Sequence, residues 1–518
     1  MTHTPASSVQ PIDCYAQAQI DAKRLHPDKK KIFVFCDGTG NEFQKEYDSK
    51  DGNSNVVKLY TTLRIADNHV AYYHPGVGTM GDPSVRYAIP RFWSKVKGLA
   101  FGAGFQKNVL DAYRYLMEVY NDGDEIYLFG FSRGAYTARA LAGMLHGCGL
   151  LCRGNEGHLV YAWKMFHEEA KRSRKLLKKA KMKRGSEKGH SIKRNKSFAE
   201  TYSRTVTIRF MGLWDTVSSV GWIYSPLLLL DMAQNPIVQV GRHAVSIDER
   251  RAYYRDNLWG PAFRIDDEQW PEEFREKGIA QDIAQVWFPG VHSDVGGSYR
   301  QCEASPANEA LEWMINELQQ QGAELCQERI DMVLGKAESG HYDAELIYVP
   351  PPEEDHCLHE SLTWRWWLLQ LFPQQYYDKE DEQIHWRVPY GAARSIPHNS
   401  IIYKSAERRL RSTTPGEEVY RPRNLKVEDL TPVNGQVLGT TANLSECFVY
   451  SAQRDRALRA DSDPVRYTKL VVGWITFGLF WVIILGVAWY ALGIVVWFLG
   501  IILSWMIITP GLSRLLFP

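Results

Sequence analysis

The chain has 518 residues, 45% of them hydrophobic and 12% aromatic, with 17 Trp and a formal net charge of +1. That length accommodates one large α/β domain with additions, or two or three average domains, and the apolar content is ample for a core. A balanced charge excludes a global pull toward nucleic acid. Eight cysteines without paired spacing exclude a zinc motif or a disulfide framework and read as a reduced, cytosolic chain.

Residues 1–30 read as a tail. Met1 to Asp13 is polar and lacks the apolar stretch of a signal peptide. Lys31 to Cys36 is predicted as a buried strand running into Asp37-Gly38-Thr39-Gly40-Asn41, the usual opening of an α/β sheet. Helical and strand-like segments then alternate, as a parallel sheet with crossover helices requires. After the turn Asn121-Asp122-Gly123-Asp124 comes a strand, Glu125 to Phe129, then Gly130-Phe131-Ser132-Arg133-Gly134, then helical composition from Ala135 to Leu145.

Strand, G-x-S-x-G, helix is the nucleophile elbow, in which a sharp turn lifts a serine hydroxyl above the sheet edge. Side chains at the two glycines would crowd the crossing of strand and helix. The bland alternative is a Gly-rich turn with an incidental serine.

Past the elbow, about 171–197 is dense in Lys and Arg, with Glu187 its only acid. It reads as a solvated insertion or as an electrostatic contact with anionic lipid headgroups. No aromatic residues interleave the charges, which argues against nucleic acid. Thr205 to Leu213 is a strand ending at Trp214-Asp215-Thr216, and the apolar stretch Trp222 to Leu230, with Leu228, is core or lid. Ile283 to Phe288 is a further strand before Pro289-Gly290-Val291-His292, and a helix is predicted from Pro306. Ser361 to Leu369 is Trp-rich and amphipathic, which makes Trp364, Trp366 and Trp367 candidate interfacial residues.

Leu470 to Thr509 has no charged residue, about twice the roughly 20 needed to span a bilayer. The expectation is a transmembrane helical hairpin over 466–518, turning within Gly486 to Gly493. Basic residues before and after it place both ends on the cytoplasmic side. The predicted organisation is an α/β-hydrolase domain over 31–425, with a mostly parallel sheet flanked by helices, then a linker over 426–465, then the hairpin.

In an open α/β sheet functional groups gather at the carboxyl ends of strands. Three such ends carry Ser132, Asp215 and His292, in the chain order of α/β-hydrolases. A neutral imidazole at His292 would take the serine proton. A carboxylate at Asp215 would fix the tautomer and stabilise the imidazolium. The backbone N–H of Arg133 and the loop at Gly38-Thr39 are candidate oxyanion donors. Asp215 as a helix cap, Asp294 as rival acid, and His243, His359 and His398 as rival bases stay open. Asp37 is placed to orient the oxyanion loop. Serine chemistry requires no cofactor, and no metal cluster with ligand spacing is visible.

Five ordered blocks carry a resemblance: Phe35 to Asn41, Gly130 to Ala135, Gly212 to Val217, Arg242 to Arg251 and His292 to Gly297. Together they resemble the catalytic domain of the type VI secretion phospholipase effectors whose elbow reads G-F-S-R-G, well over roughly 30–300 and loosely over 300–425. The resemblance implies an α/β-hydrolase fold, cleavage of an sn-1 or sn-2 ester of glycerophospholipids, and Ser132, Asp215 and His292 as the triad. It also implies a phospholipid membrane as target, with an immunity protein and a secretion spike component as partners. The basic insertion and the terminal hairpin lie outside the shared blocks. Beside this stand an esterase acting on a soluble ester, and a non-enzymatic membrane-perturbing protein with an inherited hydrolase fold.

Overall fold

Among the described residues, nine strands form one mixed sheet. The structure, a computed structural model, describes residues 29–38, 41, 52–64, 68–76, 98–180, 196–217, 221–222, 225–226, 234–268, 270–336, 358–378, 383–412, 420–433, 440–444, 447–451, 470–479, 482 and 486. In chain order the strands are β1 (Lys31–Cys36), β2 (His69–His74), β3 (Glu125–Phe131), β4 (Ile208–Trp214) and β5 (Val238–Ser246). They continue with β6 (Asp282–Phe288), β7 (Ile401–Ile402), β8 (Leu430–Pro432) and β9 (Phe448–Tyr450).

Across the sheet the order is β8-β9-β7-β6-β5-β4-β3-β1-β2. From β2 to β7 every pairing is parallel. At the other edge β9 pairs antiparallel with both β7 and β8. Residues 426–465, read from sequence as a linker, therefore supply the edge strand β8 and its neighbour β9.

The central strands are buried on both faces, and this is why they read as continuous apolar runs. Along β1, Ile32, Val34 and Cys36 face one core cluster and Phe33 and Phe35 the other. The first cluster takes in helices α2 (Gly98–Val119), α3 (Arg133–Cys148) and α4 (Leu159–Ala180). The second takes in α1 (Asn55–Thr62) and, after the short α5 (His292–Gly296), helix α6 (Ser305–Gln320). On that face Phe33 stacks on Tyr127 and Phe35 on Phe129, both at 4.8 Å between ring centroids. Burying each ring stabilises the fold by roughly 2 kcal/mol.

Two features place the functional edge. Strand β1 lies between β2 and β3, so the chain reverses its direction of travel across the sheet at β1. Ligands in open α/β sheets bind at such a reversal, beyond the carboxyl ends of the strands. Helix α1 is tied to the same place. Its N-cap Ser54 accepts from Val57 N at 3.2 Å and donates to Asp37 Oδ2, just past β1, at 2.8 Å.

The transmembrane hairpin expected over 466–518 is overturned: among the described residues no helix is long and apolar enough to cross a membrane. Residues 470–479 are helical, which covers about 15 Å, half the hydrocarbon thickness. One side of that stretch packs on protein, while Val471, Val472, Ile475 and Leu479 stay exposed. Trp474 lies 5.2 Å from Trp386 and Phe477 lies 5.8 Å from Phe372, ring to ring. A Cβ on Gly473 would stand 2.3 Å from Val388 Cγ2, so the helix sits close against the body. Hydropathy reports that side chains are apolar, not whether lipid or protein covers them. The localisation with both hairpin ends cytoplasmic falls with the hairpin, whose predicted turn and second arm lie almost entirely outside the described residues. The tail up to residue 28, residues 181–195 of the basic insertion, Thr39 and Leu228 also lie outside them.

Candidate active site

Ser132 sits between β3 and α3 with φ 59° and ψ −122°. A left-handed φ on a non-glycine residue costs on the order of 1–3 kcal/mol and persists only where the surroundings enforce it. Here two glycines let the backbones close around it. A Cβ on Gly134 would lie 2.0 Å from the Cys36 carbonyl oxygen, and one on Gly130 would lie 2.5 Å from Ala135 Cα. Ser132 N donates to Trp214 O at 3.1 Å, tying the elbow to the end of β4. A serine at an N-cap ordinarily caps the helix with its hydroxyl. Ser132 makes no such bond.

Asp215 follows β4 and is completely buried. Its Oδ2 lies 2.5 Å from His292 Nδ1. Its Oδ1 accepts from Ser246 N at 2.9 Å and Ser246 Oγ at 3.1 Å, at the end of β5. Arg394 grips both oxygens, Nη1 to Oδ1 at 2.5 Å and Nη2 to Oδ2 at 3.0 Å. Burial alone would raise this carboxyl, but the Arg394 guanidinium and His292 outweigh it and hold it well below the usual carboxylate range. Burial pushes the His292 imidazole down, against the opposing pull of Asp215. With Nδ1 against the Asp215 carboxylate, an imidazole that donates from Nδ1 has Nε2 as its acceptor.

Ser132 and His292 line one cavity of about 110 Å³, together with Gly38, Asn41, Arg133, Tyr253 and Tyr254. Phe131 lies against the imidazole at 4.6 Å between ring centroids, and Tyr254 meets it edge-on at 4.8 Å. Tyr254 in turn meets Trp366 of α7 (Trp364–Gln370) at 5.6 Å. Arg251 stacks over Tyr254 at 3.7 Å and pairs with Glu249, whose Oε2 accepts from His292 N at 3.3 Å. The Trp-rich segment thus reaches the site through Tyr254. Trp364 faces outward at 70% exposure and Leu368 at 51%.

The remaining sequence candidates fall elsewhere. His243 is fully buried behind Asp215, where Nε2 accepts from Thr216 N at 3.1 Å and Nδ1 faces Gln285 Oε1 at 3.3 Å. Asp294 bonds His359 Nδ1 at 2.6 Å and Val291 N at 3.0 Å, fastening the loop that carries His292. His398 is exposed. The Gly38 N–H points at Asp37 Oδ1, 2.6 Å away, and Asp37 also accepts from Ser54 and Tyr73, both at 2.8 Å. In this arrangement Gly38 shapes the loop rather than offering its N–H to the cavity. Arg394, Ser246, Glu249 and Tyr254 were not singled out from sequence. Arg394 lies 179 positions from Asp215, and no local pattern links the two. Among the described residues no group of three or more His, Cys, Asp or Glu could hold a metal ion.

Sheet and elbow together define an α/β protein that carries a serine on a strand-to-helix turn at the reversal point of its sheet. The family model described as T6SS, Phospholipase effector Tle1-like, catalytic domain matches residues 30–317, more than half of the chain, and the chain belongs to that family. It is also similar to a curated protein of Saccharomyces cerevisiae (strain ATCC 204508 / S288c), Uncharacterized protein YEL023C. The two are 32% identical over 246 residues, 46% of this chain and 34% of the relative. The chain thus spans about a third of that relative's length. Among solved structures, an uncharacterized protein from Pseudomonas aeruginosa matches with a TM-score of 0.37 at 19% identity, over 61% of this chain and 50% of its own. The Tle1 effector bound to the VgrG spike from the Type 6 secretion system matches with a TM-score of 0.25 at 17% identity, over 54% and 52%. At those scores neither solved structure bears on this chain's site or partners.

Proposed function

We propose that this chain is a serine-dependent phospholipase that cleaves an acyl ester of a membrane glycerophospholipid and serves as a type VI secretion effector. The observation that carries the reading is one cavity lined by both Ser132 and His292, with His292 Nδ1 held 2.5 Å from Asp215. Membership of a phospholipase effector family supports the substrate class.

In this mechanism Ser132 Oγ bonds to the acyl carbonyl carbon as its proton passes to His292 Nε2. The tetrahedral oxyanion is held by the Arg133 backbone N–H, with the Asn41 side-chain amide, one N–H of which donates to Asp37 Oδ1 at 3.3 Å, lining the same cavity. Collapse breaks the bond to the glycerol oxygen, which leaves with the proton from His292 as a lysophospholipid. Water then adds to the acyl-serine by the same route and releases the fatty acid. Asp215 stays ionised throughout, because Arg394 stabilises its charge.

Trp364 and Leu368 on the outer face of α7 would meet the lipid surface, with Trp366 and Trp367 beside the route to the cavity. A secretion spike component and an immunity protein are the protein partners that belong to this reading. The test is release of fatty acid from phospholipid–detergent micelles. The wild-type chain is expected to release it and Ser132→Ala to lose that activity to background. Undiminished release by the alanine variant would sink the serine mechanism.

A further inference from the structure

Asp215 is held in two separate ways, and only one of them concerns its carboxylate. Arg394, Ser246 and His292 fix the two oxygens. The backbone at Asp215 has φ 37°, a left-handed conformation that a non-glycine residue keeps only where the surroundings enforce it. The peptide groups around it show what does so. Asp215 N donates to Ala244 O at 2.7 Å, and Thr216 O accepts from Asn257 N at 3.0 Å. Thr216 N belongs to the peptide directly after the Asp215 α-carbon and is buried beyond the end of β4. Its acceptor is a side chain, His243 Nε2, at 3.1 Å.

The tautomer of that imidazole is dictated by backbone groups further back. The Trp259 N–H can only donate, and it donates to Gln285 Oε1 at 2.7 Å, while Gln285 Nε2 donates to Trp259 O at 3.3 Å. This sets the amide so that Oε1, an acceptor, faces His243 Nδ1 at 3.3 Å. Nδ1 therefore carries the hydrogen, and Nε2 keeps the lone pair that the Thr216 N–H requires. Across the sheet His243 stands opposite Gln285 of β6 on one side and Leu213 of β4 on the other. The ring is completely buried, and burial first, then the Arg139 guanidinium, pushes it down to about 3. Arg139, on α3, donates to Leu258 O at 3.3 Å and lies over Trp259 at 4.9 Å, so the network is also tied to the helix that follows Ser132.

We propose that His243 is a positioning residue of this reaction: as the Nδ1–H tautomer set by Gln285, it accepts the Thr216 N–H and holds the strained backbone from which Asp215 reaches His292. The assignment rests on the serine reading above and extends it one residue behind the acid. His243 does not line the cavity, so its effect on turnover passes through Asp215. An apolar side chain of similar size would leave the Thr216 N–H buried without an acceptor. The turn would then relax toward a conformation that satisfies it, and Asp215 would no longer present Oδ2 to His292 Nδ1. A glutamine can return an acceptor to the Nε2 position.

The experiment compares the full chain with His243→Leu, His243→Gln and Gln285→Met, each alone and combined with Asp215→Asn, on phospholipid–detergent micelles. A displaced acid predicts a fall in kcat of about ten- to a hundredfold for His243→Leu with KM nearly unchanged, most of it recovered by His243→Gln. Because His243 acts through Asp215, His243→Leu should add less than about a twofold loss once Asp215→Asn is present. An unchanged kcat in His243→Leu, or a loss that multiplies in full onto that of Asp215→Asn, overturns the assignment. Should His243→Leu fail to fold, Gln285→Met is judged by the same two criteria, with a smaller expected fall. A readout independent of turnover is the imidazole nitrogen spectrum of Ser132→Ala protein carrying isotope-labelled histidine, in which His243→Gln identifies the resonance. His243 should be neutral with its hydrogen on Nδ1 from about pH 5 to about pH 8, and an Nε2–H tautomer overturns the assignment. Failure of the serine reading looks different: Ser132→Ala would then retain hydrolysis, whatever the His243 variants do.

Discussion

Arg394 and Asp215 form a buried, two-pronged ion pair, Nη1 to Oδ1 at 2.5 Å and Nη2 to Oδ2 at 3.0 Å. His292 therefore leans on a carboxylate that is itself anchored from the opposite side. Arg394 is fixed in turn by Tyr254 O, which accepts from Nη2 at 2.5 Å, and by Asn424, whose Nδ2 donates to the Arg394 carbonyl at 3.0 Å. Removing the guanidinium strands a buried negative charge. Arg394→Met should lower unfolding free energy by about 3–5 kcal/mol. It should also reduce kcat more than it raises KM, because in the proposed mechanism Arg394 positions the acid–base pair rather than the substrate. Urea denaturation and steady-state kinetics on lipid micelles check both. A variant with unchanged stability would mean that the pair contributes nothing net.

Gly134→Ala tests the elbow. The added methyl would meet the Cys36 carbonyl oxygen at 2.0 Å and the Asp37 carbonyl oxygen at 2.5 Å, both backbone atoms that cannot rotate aside. The expected cost is about 3 kcal/mol, the upper end of the overpacking range, with loss of hydrolysis as Ser132 shifts. Thermal melts of the purified variant measure the first and fatty-acid release the second.

The pH profile follows from the sign of the His292 shift. Burial depresses the imidazole from its ordinary value of 6.5, so the neutral base persists to lower pH than a free histidine would allow. The acid limb of kcat/KM should bend below pH 6.5. Asp215→Asn removes the group that opposes the depression and should move the limb lower still, while cutting kcat by several orders of magnitude. An acid limb above pH 6.5 contradicts a buried, neutral His292 as the base.

Lys58 supplies a stability signature away from the chemistry. Its ammonium is buried on α1, donates to Asn308 Oδ1 at 2.9 Å, and is pushed down to about 7 by burial. Between about 7 and the unfolded value of 10.5 the folded chain holds fewer protons than the unfolded chain, so stability from this group rises with pH over that window. Below pH 7 and above pH 10.5 it contributes no slope. The gap in Tm between wild type and Lys58→Met should therefore shift in favour of wild type as pH climbs from 7 to 10. A gap that stays constant across that range rules the effect out.

The outward face of α7 offers a test of interfacial contact. Trp364→Ser with Leu368→Ser removes exposed apolar surface without touching the cavity lining. Hydrolysis of phospholipid vesicles should fall several-fold more than hydrolysis of the same lipid dispersed in detergent, because membrane affinity scales with buried apolar area. Equal falls on both would locate the residues' role in folding.

Much of this molecule is local in origin and was readable along the chain. Continuous apolar runs mark strands covered on both faces, so β1, β3 and β6 were legible to within a few residues. Gly130 and Gly134 around Ser132 announce a tight strand-to-helix crossing, because only glycine tolerates the approach of the Cys36 carbonyl. What the chain could not display is whatever depends on which distant segments meet. Arg394 contacts Asp215 only once the sheet has formed. His243 lies within β5 and His292 just after β6, at the start of α5, and the fold alone buries one behind the acid and opens the other to the cavity. The charge-free run after Leu470 shows the same limit. Only the tertiary structure showed that Gly473, Trp474 and Phe477 meet Val388, Trp386 and Phe372, while Val471, Val472, Ile475 and Leu479 stay exposed.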